Sequence, residues 1–174
     1  KNEFRYRFDY EDPIPYEMLI SLNEISTREQ FVRDNNLSTF QRWWQYSGDK
    51  LIPLKNYFRK SITNFINENY GDLGDLVHMD DVTLFENGDF INEHKDGFNE
   101  GRICVFLIYL SDSQTYNDGG GKLIIKNNGI IEEVYPINEN FTILDFTQNN
   151  VTHEVTSVKN DFKRLTYINF ISKK

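Results

Sequence analysis

Residues 77–96, VHMDDVTLFENGDFINEHKD, hold two strand-like runs about an Asn87-Gly88 turn and end in an H-x-D element. Asn-Gly between runs rich in β-branched and aromatic residues is a strong reversal signal. The runs 77–86 and 90–94 therefore read as strands. His94 and Asp96 close the second run, two residues apart. In extended chain, residues i and i+2 project to the same side. The pair can offer one nitrogen and one oxygen to a common point.

The same punctuation continues downstream. Strands are expected at 102–110, 122–126, 130–135, 141–146, 152–158 and 164–171, with turn signals at Asn117 to Gly121 and at Asn127-Asn128-Gly129. Before about residue 75 the periodicity is mostly helical. Phe4, Tyr6 and Phe8 first alternate with Arg5 and Arg7, as on a half-buried strand. Asp12 then offers an N-cap and Pro13 a first helical residue, ahead of Ile14, Met18, Leu22 and Ile25 at helical spacing. Residues 27–37 fit neither period. Phe40 to Tyr46 reads as a strand ending at a Ser47-Gly48-Asp49 turn. From Pro53 a second helix carries Leu54, Tyr57, Phe58, Ile62, Phe65 and Ile66 on one stripe. Runs of helix followed by runs of short strands predict an α+β domain built on a sandwich or jelly roll. One domain over 1–174 is expected, helical to about 75 and strand-rich from 76 to 174.

Bulk composition agrees with a folded domain. Hydrophobic residues make up 39% and charged residues 26%, so the chain is not disordered by composition. Aromatics reach 15%, which suits large rings filling the space between sheets. The net charge of −8 disfavours nucleic acid, which needs a basic face. Cys104 is the sole cysteine, so no internal disulfide or cysteine zinc cluster can form. It lies in the apolar run Cys104 to Ile108 and reads as a buried, inert thiol. A reducing, intracellular location is expected. No apolar stretch approaches the roughly 18 residues of a membrane span, and no signal peptide is visible; the chain starts at Lys1 without Met, which leaves room for a trimmed leader.

Three histidines exist, His78, His94 and His153. His153, on a distant predicted strand, can join His94 and Asp96 in a two-His, one-carboxylate set of the kind that suits non-haem Fe(II) with open positions. Each residue also has an ordinary reading: His94 a solvated turn residue, His153 a satisfied half-buried one. Arg164 opens the last strand, and an arginine fork binds a carboxylate with two parallel hydrogen bonds. Thr166, two residues on, faces the same way; Lys163 should face the opposite one. Tyr109, near the end of strand 102–110, can bring a phenol to the same carboxylate or simply be a core ring. Gly119-Gly120-Gly121 marks either a close backbone approach or a flexible hairpin. Trp43-Trp44 can line a groove or sit partly in the core. His78 has no assigned role.

In order along the chain, these pieces resemble the 2-oxoglutarate/Fe(II) oxygenases, and among them the prolyl 4-hydroxylase-like branch. The matching segments are Leu84 to Gly88, Phe90 to Asp96, Gly101 to Ser111, Gly120 to Leu123, Leu144 to Phe146, His153 to Val155 and Arg164 to Thr166, covering roughly residues 75 to 171. The resemblance implies a double-stranded β-helix, a jelly-roll core with N-terminal helices packed on one sheet. It implies iron ligands at His94, Asp96 and His153. It implies that Arg164 holds the distal carboxylate of 2-oxoglutarate, with Tyr109 and Thr166 assisting. The reaction implied is hydroxylation of a C–H bond, with succinate and CO2 released, Fe(II) and O2 required and ascorbate as an accessory reductant. The branch suggests a prolyl residue in a peptide or protein. A free amino acid or other small molecule is the alternative, and a non-catalytic jelly-roll binding module is the alternative of another class. Residues 27–50 and 111–119 are the candidates for a loop over the substrate. Three departures stand out: Phe85 where relatives often carry Tyr, Lys122 where they often carry Glu, and one extra turn residue around Asn160-Asp161.

Overall fold

The computed structural model describes residues 31–34, 40–46, 51–96, 101–138, 140–147 and 151–174. The strand expected at Phe4 to Phe8, the helix expected from Asp12 and the turn at 47–49 lie outside these residues. Ten strands, one α-helix and a single 3-10 turn at Ser113–Thr115 are described: β1 (Phe31–Asp34), β2 (Gln41–Tyr46), α1 (Ile52–Tyr70), β3 (Leu76–Phe85), β4 (Phe90–His94), β5 (Arg102–Tyr109), β6 (Leu123–Asn127), β7 (Ile130–Val134), β8 (Phe141–Asp145), β9 (Val151–Val155) and β10 (Arg164–Lys173). The strands expected downstream of residue 75 form within three residues of their expected bounds.

Every pairing between strands is antiparallel, in the order β7-β6-β9-β4-β2-β3-β10-β5-β8, with β1 on β2. Strand β2 is the corner. Its first residues pair with β4 (Gln41↔Ile91, Arg42↔Phe90) and its later ones with β3 (Trp44↔Leu84, Gln45↔Thr83). The sheet thereby folds over on itself as a jelly roll, with β3, β10, β5 and β8 on one side and β4, β9, β6 and β7 on the other.

Both faces of the β3-β10-β5-β8 side are covered. On β5, Cys104, Phe106 and Ile108 join a core with α1, while Val105, Leu107 and Tyr109 join the core between the sheets. A strand buried on both faces is apolar throughout, which explains the unbroken run 103–110. Burial pushes the Cys104 thiol up to about 12, so it stays protonated and inert. Helix α1 starts with Pro53 in its first turn and stops at Gly71, whose φ of 77° ends it. Leu54, Phe58, Ile62 and Ile66, four residues apart, are its buried stripe.

Beneath α1 lies a buried polar network. Arg59 donates through two nitrogens to Asp80, Tyr167 Oη donates to Asp80 Oδ2 at 2.6 Å, and Asn169 Nδ2 donates to Tyr167 Oη at 3.0 Å. Asn169 Nδ2 also meets His78 Nδ1 at 2.9 Å, so His78 belongs to this helix–sheet contact rather than to the cavity. Burial opposes ionisation of Asp80, and the bonds from Arg59 and Tyr167 outweigh it and hold the carboxyl below its usual range. Removing one partner leaves a buried charge uncompensated. Arg59→Ala is expected to cost about 1–2 kcal/mol, less than for a fully buried pair, because the Arg59 side chain is 39% exposed and Tyr167 still bonds Asp80; urea denaturation measures it.

Candidate active site

A cavity of about 460 Å3 opens between the two sheets. One wall is built from rungs of facing residues on neighbouring strands. Phe85 pairs with Arg164, Thr83 with Thr166, Asp81 with Ile168 and Met79 with Phe170. All eight line the cavity. The other wall carries Ile91, Val155 and Leu123 on adjacent strands and then His94 opposite His153.

His94, Asp96 and His153 converge. One donor atom from each lies within 4.8 Å of the others. His153 Nε2 is 3.1 Å from Asp96 Oδ2, and His94 Nε2 is 3.5 Å from Asp96 Oδ1. Asn92 offers a backbone carbonyl at 2.8 Å from His94 Nδ1. A carbonyl only accepts, so Nδ1 carries the proton and Nε2 keeps its lone pair toward Asp96. Two imidazole nitrogens aimed at one carboxylate need a cation between them, a proton or a metal ion. Burial and the neighbouring His153 lower the His94 pKa, which favours the neutral, metal-binding form. Burial opposes the charge on Asp96, but the hydrogen bond and charge from His153, with His94 and Arg102, hold its carboxyl below the usual range.

At the other end of the cavity, Arg164 is 3% exposed. Its Nε donates to the Gly121 carbonyl at 2.8 Å, and its guanidinium lies over Phe85 at 4.9 Å and Tyr109 at 5.3 Å. Among the described residues no carboxylate pairs with it. Burial lowers its pKa while Tyr109 opposes the shift, yet an arginine remains a cation at neutral pH. Thr166 Oγ1, beside it, is buried without a hydrogen-bond partner. Lys163, as expected, points away and is exposed. A buried cation and an unpartnered hydroxyl fit an anionic ligand, and a two-His, one-carboxylate set at the other end fits a divalent metal.

The glycine tract proves to be a close approach rather than a loose hairpin. A Cβ on Gly121 would sit 3.0 Å from Arg164 Cδ, and one on Gly120 would sit 2.0 Å from the Ser157 carbonyl oxygen. The extra turn residue is absorbed by Asn160 and Asp161, both left-handed at φ 57° and 58°. Asn and Asp tolerate that region, and Asp161 is tied to Asn87 through two hydrogen bonds. Lys122 pairs with Glu133 at 3.7 Å and caps the Tyr135 ring at 4.9 Å, outside the cavity lining. Sequence reasoning missed Asn92, which acts through its backbone and leaves no side-chain signature. It also missed Thr83, visible afterwards as the cavity-facing alternate of Phe85, and the stacking of Trp43 on Phe85, with centroids 6.1 Å apart and planes within 2°.

The sequence profile of the 2OG-Fe(II) oxygenase superfamily matches residues 78–172. No curated protein matches the chain in sequence. Among solved structures it is similar to a Pseudomonas putida prolyl-4-hydroxylase, at 16% identity over 92% of this chain and 89% of that one, with a TM-score of 0.70. A viral collagen prolyl hydroxylase from Paramecium Bursaria Chlorella virus-1 aligns over 99% and 98% at 12% identity and 0.69. A Trichoplax adhaerens prolyl hydroxylase, solved with a hypoxia inducible factor peptide, aligns over 90% and 76% at 20% identity and 0.66.

Protonation of the site sets a pH dependence. The His94 pKa lies below its ordinary 6.5, so its contribution to stability is full above about that pH and is lost as pH falls through the depressed value. Asp96 lies below 3.8 and loses its contribution only at lower pH. His78, also lowered, first by burial, adds to the His94 trend. In chelator-treated protein the denaturation midpoint should fall from pH 7.5 to 5.5, and His94→Gln should flatten that slope without abolishing it.

Proposed function

Since the chain belongs to the 2OG-Fe(II) oxygenase superfamily and is a 2-oxoglutarate- and Fe(II)-dependent dioxygenase, we propose that His94, Asp96 and His153 hold the iron and that Arg164, Thr166 and Tyr109 hold the co-substrate. The observation that carries this reading is the pairing, in one cavity, of a convergent His-Asp-His set with a buried arginine that no carboxylate pairs among the described residues.

When bound, iron and 2-oxoglutarate supply the oxidising power, with the keto acid and O2 consumed, succinate and CO2 released and one substrate C–H converted to C–OH. The chain's own residues bind, orient and exclude water. Arg164 keeps its terminal nitrogens for the distal carboxylate, because Nε is already engaged by Gly121. Thr166 and Tyr109, opposite each other on β10 and β5, bring their hydroxyls to the same end. Leu107, Leu123 and Val155 keep the middle of the cavity apolar. The Asn92 carbonyl holds the His94 tautomer that binds metal, a role that such outer partners commonly serve.

We propose a prolyl residue of a peptide or protein as the substrate. Support comes from the prolyl hydroxylases to which the fold is similar, one of them solved with a peptide bound. Free L-proline and other small molecules are the competing substrates in any screen.

Anaerobic titration of Fe(II) and then 2-oxoglutarate should give the visible charge-transfer band of the chelate. His153→Ala should abolish it. Arg164→Ala should weaken 2-oxoglutarate binding by about 10- to 100-fold, as expected for losing hydrogen bonds to a charged group worth ~1.5–3 kcal/mol. A folded protein that shows no band overturns the assignment.

A further inference from the structure

We propose that the cavity continues outward along one face of β3 as a docking track for an extended polypeptide, with apolar residues preferred at alternate positions on one side of the target residue. This rests on the peptide reading above and adds to it the flanking specificity.

The track follows from the strand register. Asp81, Met79 and Val77 are successive same-face positions on β3. Asp81 and Met79 line the cavity with Ile168 and Phe170, their partners on β10. Met79 is 55% exposed, and Val77, the next position out, 44% exposed. Scattered surface hydrophobics are ordinary. These two are in line with each other and adjoin Ile168 and Phe170 of the cavity wall, so apolar side chains continue outward beyond the polar Gln45–Asp81 pair. A site for a free amino acid would close around a small ligand that carries both charges. Among the described residues the wall instead leaves Met79 and Val77 exposed, at a spacing that matches alternate side chains of an extended peptide, about 6.6 Å.

Gln45 adds a polar contact at the point where the track leaves the cavity. Its Nε2 donates to Asp81 Oδ2 at 2.6 Å. Asp81 Oδ1 accepts from the Val82 N–H at 2.9 Å and lies 3.9 Å from Lys55 Nζ. The carboxylate is thus occupied, and its role is to turn the Gln45 amide so that the carbonyl is left to accept a peptide N–H. Asp81 is therefore a positioning residue and not a site for a cationic substrate.

The test uses the iron-loaded enzyme with 2-oxoglutarate and O2, reading succinate formed above the substrate-free rate. The probes are end-blocked peptides with one central proline, flanked at alternate positions by leucine in one series and by glutamate in the other, and free L-proline. The leucine series should stimulate turnover, with a KM at least tenfold below that of the glutamate series. Met79→Glu should raise the KM for leucine peptides at least tenfold with a smaller effect on kcat, and Met79→Leu should restore it. Ile131→Glu, at a somewhat more exposed position outside the cavity, should change nothing. Stimulation by free proline rather than peptides overturns the proposal. So does an equal response to both series, a silent Met79→Glu, or substrate-free turnover that no peptide stimulates. Absence of both turnover and the visible chelate band brings down the oxygenase assignment itself and the track with it.

Discussion

A buried guanidinium that no carboxylate pairs among the described residues constrains this fold more than any other feature. Transferring an arginine from water to an apolar interior costs several kcal/mol unless it is paired and hydrogen-bonded. Arg164 is 3% exposed, and among the described residues it is compensated by the Gly121 carbonyl on Nε, a hydrogen bond with Tyr109 and the faces of Phe85 and Tyr109. Aromatic faces offset part of the cost, typically ~0.5–2 kcal/mol each. The remainder is a cost that a bound anion would offset. The absence of side chains on Gly120 and Gly121 follows from the same constraint, because any Cβ there would collide with the backbone or with Arg164.

Holding that charge in place requires a stiff strand, and β10 is stiff because both of its faces are used. Arg164, Thr166, Ile168 and Phe170 face the cavity. Leu165, Tyr167 and Ile171 face α1. The Arg59–Asp80–Tyr167–Asn169 network fixes the helix to β3 and β10 by directional bonds, which apolar packing alone does not supply. The Arg164 end of the cavity is therefore supported from behind by a helix whose own sequence shows no sign of catalytic chemistry.

How much of this was legible beforehand depends on whether the signal was local. The strands after residue 75 announce themselves by alternation and by Asn-Gly or Gly-rich turns, and they form where those signals stand. His94 and Asp96 were legible because two residues of extended chain place them together, and His153 because only one other histidine competed with it. Arg164 and Thr166 followed from the same period of two. His78 was illegible: its partners, Thr63 and Asn169, come from α1 and β10, and no local pattern links them. The glycine tract was ambiguous, since flexibility and close approach have the same sequence; only the positions of Ser157 and Arg164 decide between them. The Trp43-Trp44 pair was ambiguous in the same way. Adjacent residues on a strand face opposite sides, so Trp43 turns to the cavity core and Trp44 to the helix core.

The two ends of the site lie on different sheets, and this makes β2 more than a connector. The convergent His94-Asp96-His153 set is carried by β4, β9 and the residues just after β4, whereas Arg164 and Thr166 are carried by β10. Any ligand bridging them needs a fixed spacing, and catalytic geometry loses rate steeply when displaced by about 1 Å. Strand β2 is the element that bonds to both sheets at this corner, through Gln41 and Arg42 on one side and Trp44 and Gln45 on the other. Between those contacts Trp43 lies flat on Phe85, and Phe85 in turn lies against Arg164. A phenylalanine at position 85 lacks a tyrosine's hydroxyl and keeps a ring that packs on both sides. The stack runs from the corner strand to the buried cation, so the spacing between the two sheets and the position of the arginine are set by one set of contacts.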